Sequence, residues 1–411
     1  MPSFLKSLCA ALLLSPIFPA AVIAQSELAC GVERCRNVSD CDEAAFACKK
    51  PIGDPKKLPN ERMRRADQNK IVRLFFATNR RIKHDPTLTD LPPIYFLFDP
   101  QTGDAVWLGW VDVTVPLRRP KGQPPSSSRV RAQAHSTYNF ALGNHEVLKS
   151  AAHFYAEFHQ DKATKGRDDL SLYIHGFRNT FDRAAKRAVQ IAEDARYRGP
   201  LILFSWPSEK NVPTPYDAPG GNIDLDYKNA SRERDSSVDD LATVLRIVTH
   251  FDRRKTNIIA HSMGAQLALA TLAKSRTSKE RFPKIRTVIL AAPDVAVQEY
   301  SSQYEKLLQG VSPQTVIYCS PDDLLLPKVP GGRLGECLPA ARNRQSIEVV
   351  MVRRSDVPNR AGFFEAWIWH SYFANSEPVL EDIDQVLNNT TPAHSRRHLI
   401  LETSRWRLKY P

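Results

Sequence analysis

From Leu170 onward the chain alternates short apolar runs with amphipathic stretches, and this rhythm restricts the fold more than any other feature. The runs are Leu170–Ile174 (LSLYI), Pro200–Phe204 (PLILF), Asn257–Ala260 (NIIA), Thr287–Ala292 (TVILAA) and Thr315–Cys319 (TVIYC). Between them lie helical patterns at Asp182–Tyr197, Asp235–Phe251 and Met263–Ser275. A strand that is apolar throughout, with no in-out alternation, is buried on both faces, as in a parallel sheet covered by helices. Ser346–Val352 (SIEVVMV) reads as a further strand and Glu377–Leu387 as a closing helix. Upstream, Ile71–Ala77, Ile94–Phe98 and Val106–Val115 are rich in β-branched and aromatic residues and read as strands, and Arg118–Arg131 as a loop. The expected class is α/β, with a mostly parallel central sheet, helices on both faces and an N-terminal β extension. No repeat of about 20–50 residues recurs, which excludes solenoids and propellers. A hydrophobic share of 42% with 25% charged residues excludes general disorder.

The first 24 residues form a separate region. Lys6 precedes an apolar run from Leu8 to Ile23 that Pro16 and Pro19 interrupt, and Val22-Ile23-Ala24 offers small residues for cleavage. This is the build of a secretory leader and too short for a good membrane span. Export to the periplasm or beyond is therefore expected. Cysteine usage agrees with it. Beyond Cys9, Cys30, Cys35, Cys41 and Cys48 cluster and Cys319 and Cys337 stand far downstream, an even set suited to disulfides. The first four lack the C-x-x-C spacing of common zinc modules. Residues 25–66 read as a cysteine-rich segment with a linker, 67–391 as the main domain and 392–411 as a basic tail.

The chemistry is concentrated in Ala260-His261-Ser262-Met263-Gly264, where an apolar strand runs through a serine turn into an alanine-rich helix. This is a nucleophile elbow, G-x-S-x-G, with Ala260 in place of the first glycine. Strand and helix approach closely there, so small residues must flank the serine. Serine needs a base, an orienting acid and donors for an oxyanion. The downstream histidines are His370, His394 and His398; His370 precedes the closing helix, whereas the other two lie in the basic tail. For the acid, Asp322 and Asp323 follow the run Thr315–Cys319, and Asp294 follows the preceding one. The backbone N–H of Met263 and that of Phe177, in Ile174-His175-Gly176-Phe177, are the expected oxyanion donors.

Seven segments together resemble an uncharacterised, mostly bacterial family of α/β-hydrolases catalogued as a domain of unknown function. They are Phe75–Arg80 (FFATNR), Ile174–Phe177 (IHGF), Phe204–Ser208 (FSWPS), Ala260–Gly264 (AHSMG), Ala291–Asp294 (AAPD), Ser320–Asp323 (SPDD) and His370–Phe373 (HSYF). The resemblance implies an α/β-hydrolase fold and serine hydrolysis, puts the base at His370 and favours Asp323 for the acid. The cysteines are not part of the family pattern.

The expected activity is hydrolysis of a small-molecule or lipid ester through an acyl-enzyme. The rival is a catalytically silent hydrolase fold that binds a partner at the cell envelope. The formal charge of +12 and runs such as Arg80–His84 suggest weak association with an anionic envelope surface. The basic residues are not interleaved with stacking aromatics, so no nucleic-acid partner is expected. No glycine loop for a nucleotide is present, and no cofactor is expected. His153, Glu157 and His159 read as surface residues, so no metal is expected either. Trp367 and Trp369 are candidates for pocket lining or core packing.

Overall fold

The computed structural model describes residues 28–30, 33–35, 41–42, 47–48, 69–83, 97–116, 119–125, 140–148, 150–161, 167–209, 223–251, 254–277, 282, 284–358 and 368–410. The leader-like residues 1–24 and Trp367 lie outside this set. So do the side chains of Cys30, Cys35, Cys41 and Cys48, and with them their pairing.

The chain divides into two compact units. The smaller comprises residues 1–64 and 133–135. Its described elements are β1 (Leu28–Cys30), β2 (Glu33–Cys35), β3 (Cys41–Asp42) and β4 (Ala47–Cys48). They form two antiparallel pairs, β1 with β2 and β3 with β4, with Cys41 opposite Cys48 in the register of the second.

The larger unit, 65–132 and 136–411, holds one 11-stranded sheet. In chain order it begins with β5 (Asn69–Ile82), β6 (Phe98–Pro116), β7 (Ala141–Leu148), α1 (Ala151–Gln160), β8 (Asp169–Ile174), α2 (Phe181–Asp194) and β9 (Leu201–Ser205). There follow α3 (Ile223–Ser236), α4 (Val238–Arg246), β10 (Lys255–His261), α5 (Met263–Thr277), β11 (Ile285–Ala291), α6 (Glu305–Val311) and β12 (Gln314–Cys319). The last elements are β13 (Ile347–Val352), α7 (Glu377–Asn389), β14 (Leu399–Glu402) and β15 (Arg405–Leu408). The strand order is β14-β15-β13-β12-β11-β10-β8-β9-β5-β6-β7. Every neighbour pair from β5 to β15 is parallel, and β6, β7 and β14 join antiparallel.

Successive residues of a strand face opposite sides of a sheet, and the two faces carry separate cores. Leu172, Ile174, Phe204, Ile258, Leu290 and Ile317 pack with α4 and α5 residues such as Leu241, Leu245 and Leu267. Their chain neighbours Tyr173, Leu203, Ile259, Ile289, Val316 and Tyr318 pack with Ala185, Val189, Leu380 and Ile383 of α2 and α7. Both faces are thus closed to water, which explains why the strands read as unbroken apolar runs. Thr180 caps α2, its hydroxyl accepting from Arg183 N–H, and Pro378 starts α7 where no helical donor is lost.

Two departures from the sequence reading lie in the second half of the chain, and in the first half a single strand, β6, runs from Phe98 through Val106–Val115 where two strands were expected. The stretch expected as one helix over 235–251 is the end of α3, then α4, then a short π turn at Ile247–Phe251. The basic tail is no solvated appendage, because β15 pairs with β13 and β14 completes a hairpin. Arg396 is fully buried and pairs with Asp382 and Glu348, both at 2.9 Å, which puts that cation inside the fold. Cys319 and Cys337 form a disulfide with an S–S distance of 2.04 Å.

Candidate active site

Strand β8 has β9 on one side and β10 on the other, so the chain reverses its direction of travel across the sheet there. In open parallel sheets ligands gather beyond the carboxyl ends of the strands at such a switch point. Ser262 stands there, between the end of β10 and the start of α5, with φ +54°. A positive φ costs a non-glycine residue of order 1–3 kcal/mol and persists only when its surroundings impose it. Here Ser262 N–H donates to Ala291 O (3.0 Å), and Ser262 O accepts from Ala265 N–H (3.0 Å) and Asp294 N–H (3.2 Å). Glycine is needed two residues on, since a Cβ on Gly264 would lie 2.4 Å from His175 O.

His370 reaches the serine from the segment before α7. Its Nε2 lies 2.9 Å from Ser262 Oγ and its Nδ1 2.7 Å from Asp323 Oδ2. Asp323 is buried, and its other oxygen accepts from Leu325 N–H (2.9 Å) and Leu326 N–H (3.2 Å), so the carboxylate has little freedom to turn. The segments that carry Asp323 and His370 are also tied to each other. Trp369 Nε1 donates to Ser320 Oγ (3.0 Å) and Leu324 N–H to Ile368 O (3.0 Å). Trp369 is buried, with φ +61°, and packs in the core beside His370. The disulfide closes behind this loop, joining the end of β12 to Cys337 four residues after Arg333.

The two rival acids are placed elsewhere. Asp322 Oδ2 accepts from Arg354 N–H (2.7 Å). Asp294 accepts from Tyr227 Oη (2.8 Å), and Arg333 Nε stands 3.2 Å from its other oxygen. Of the rival bases, His398 packs against Tyr410 with the rings tilted (5.0 Å between centroids) and His394 sits in the turn before β14.

The predicted oxyanion loop follows β8 and lies against the elbow. A Cβ on Gly176 would stand 2.9 Å from Ser262 Cβ and 3.0 Å from His261 O, so only glycine permits this approach. Phe177 follows directly, its ring edge-on to Tyr227 of α3 at 5.7 Å.

Three histidines cluster here with different proton affinities. Burial opposes charge on His370, but the Asp323 carboxylate and its hydrogen bond, with Asp294 further off, outweigh it and raise the pKa above the ordinary value. His261, whose ring packs against His370 and Phe373 at 5.0 and 4.5 Å, is held well below that value by burial and by the neighbouring base. Burial, with Arg80 nearby, lowers His175 to about 3. Of the three, His370 alone is thus made a stronger base than an ordinary histidine.

Two further motifs surround this loop, and one corrects the sequence reading: Arg80, counted there in a basic run facing an anionic surface, is turned into the fold and paired with Glu209. Arg80, at the end of β5, is fully buried and donates to Ser205 Oγ (2.9 Å), Glu209 Oε1 (2.6 Å), Asn179 O (2.9 Å) and Trp206 O (2.7 Å). Trp206 stacks on His175 and donates its indole N–H to His175 O (2.9 Å). The signal was present: polar residues at the carboxyl ends of otherwise apolar strands, where a sheet of this kind builds its sites.

A family model described as an alpha/beta hydrolase of unknown function (DUF900) matches residues 150–389, more than half of the chain. No curated protein matches. Among solved structures, TT1662 from Thermus thermophilus is 16% identical, with a TM-score of 0.34 over 46% of this chain and 82% of that one. An esterase from an Arctic intertidal metagenomic library is 18% identical (TM-score 0.30, 54% and 82% covered). Esterase B from Lactobacillus rhamnosis is 11% identical (TM-score 0.33, 80% and 93% covered). At these TM-scores none of the three carries weight; the family match does.

Proposed function

Because the chain belongs to the family of α/β-hydrolases of unknown function DUF900, we propose that it is a serine hydrolase that cleaves an acyl ester through an acyl-enzyme. The observation that carries this reading is the hydrogen-bonded relay from Ser262 Oγ through His370 to Asp323, at 2.9 and 2.7 Å. In this reading Ser262 Oγ attacks the ester carbonyl as His370 Nε2 takes its proton. Asp323 holds the Nδ1–H tautomer and stabilises the imidazolium that forms, without itself being protonated. The N–H groups of Phe177 and Met263 receive the charge that develops on the carbonyl oxygen, each donor being worth about 3 kcal/mol of barrier. The imidazolium returns its proton to the departing alkoxide. A water then attacks the acyl-serine by the same route in reverse, releasing the acid and restoring the serine.

Fluorophosphonate labelling of the purified, oxidised protein examines the reading directly. The wild type is expected to label and to hydrolyse short-chain aryl esters, and Ser262→Ala and His370→Ala to do neither. A folded wild type that fails on both counts would sink the hydrolase reading in favour of the silent binding protein.

A further inference from the structure

The carbonyl of Gly176 is gripped by three side chains. His175 Nδ1 lies 3.0 Å from it, Ser208 Oγ–H donates to it at 3.0 Å and Asn179 Nδ2 at 3.2 Å. A carbonyl oxygen has two lone pairs, so this one is over-provided with donors. The carbonyls around it are held in the same way. His175 O accepts from Trp206 Nε1, Phe177 O from Asn179 Nδ2 (3.1 Å) and Asn179 O from Arg80 Nη2. Because Nδ1 of His175 faces a carbonyl, it carries the ring proton, and Nε2 faces Ser205 Oγ (3.5 Å), which accepts from Arg80 Nε. The grip therefore runs back to a buried guanidinium whose charge is balanced by Glu209.

Gripping this carbonyl has a geometric consequence. Gly176 C=O and Phe177 N–H belong to one planar trans peptide and point in opposite directions. Holding the oxygen toward Asn179 and Ser208 turns the N–H the other way, on the peptide unit whose Cα abuts Ser262. The loop would not keep this shape unaided, because the next residue, Arg178, sits at φ +57°.

We propose that Asn179, Ser208 and His175 form a carbonyl clamp that aims the Phe177 N–H at the developing oxyanion, and are thus positioning residues of the reaction. The proposal rests on Ser262 being the nucleophile. Donors that act only in the transition state lower kcat and kcat/KM together when lost and leave KM unchanged.

The experiment compares Asn179→Asp, which keeps the size but loses both N–H donors, with Ser208→Ala, Ser208→Thr and Ser262→Ala. Ester kinetics and fluorophosphonate labelling rates are measured on protein whose folding is checked by circular dichroism. Asn179→Asp and Ser208→Ala should each lose about 10- to 100-fold in kcat and in labelling rate, with KM within about twofold of wild type. Ser208→Thr, which keeps the hydroxyl, should recover most of the loss. An active wild type whose Asn179→Asp and Ser208→Ala forms keep full kcat, or lose only through KM, overturns the clamp and leaves the triad standing. A loss that Ser208→Thr does not recover overturns it as well. If the wild type behaves like Ser262→Ala, the triad fails and the clamp fails with it.

Discussion

His370 holds its proton more tightly than an ordinary histidine although it is buried, because the carboxylate at 2.7 Å outweighs the loss of solvent. The base must be neutral to accept the serine proton, so kcat/KM should rise with pH through an apparent pKa above 6.5, the ordinary value. Replacing Asp323 with Asn removes the charge that raises it. The limb should then move to lower pH and kcat fall about 10³-fold or more. A pH–rate profile of both proteins decides this, and an unmoved limb would exclude Asp323 as the partner. The linkage to stability has the opposite sense. A folded-state pKa raised above the unfolded one contributes stability fully below the unfolded pKa and loses it as pH rises through the folded one. Over that window activity grows while this part of the stability fades. Ser262 and His370 were legible as single candidates, since the elbow is a local pattern and the chain order leaves few histidines. From position along the chain the candidate acid was legible only as one of three, and the family resemblance is what favours Asp323. Asp322 and Asp323 are neighbours in a turn and face opposite partners, and no periodicity in a turn reveals which side faces inward.

At the scale of elements, the closest packing in the site is between the first turn of α5 and the end of β8. A methyl on Gly264 would meet His175 O at 2.4 Å and Ile174 O at 2.7 Å, both backbone atoms that a rotamer change cannot move. Gly264→Ala should therefore cost about 1–3 kcal/mol or more and lower kcat, as differential scanning calorimetry and ester kinetics would register. A variant as stable and active as wild type would show that this contact is looser than described. Parallel strands were readable because double burial leaves a run with no polar interruption. The hairpin of β14 and β15 was not. Its strands are only four residues long, and in β15 arginines alternate with apolar residues, Arg407 pairing with Asp356 at 2.6 Å; composition alone cannot distinguish a paired arginine from a solvated one. The break between α3 and α4 was also hidden. Ser237 is held there from a distant strand, by Asn79 Nδ2 of β5 at 2.8 Å, and a tertiary contact of that kind leaves no trace in a hydrophobic period.

For the molecule as a whole, the sheet grows beyond the family's matched span on both sides, through β5–β7 before residue 150 and β14–β15 after residue 389. The C-terminal addition is fastened through charge. Arg396 bonds to Asp382 of α7, which also accepts from Tyr318 of β12 (2.6 Å), and to Glu348 of β13. Arg396→Ala leaves the buried Asp382 without its cation and should destabilise by about 3–5 kcal/mol. Urea unfolding would measure this, and a midpoint unchanged from wild type would mean that water compensates the carboxylate.

This late fastening bears on the order of events during synthesis. Chains emerge amino end first, and domains tend to form as they appear. Here β12 is complete well before residue 396 is translated and α7 ends only at Asn389, yet Asp382 of α7, to which Tyr318 of β12 donates, lacks its arginine counter-charge until then. The domain therefore cannot reach its final energy while the ribosome is still behind that codon. A message that stops between the codons for Asp382 and Arg396 yields a product with an anion stranded in its interior, a substrate for quality control and not a shorter working domain.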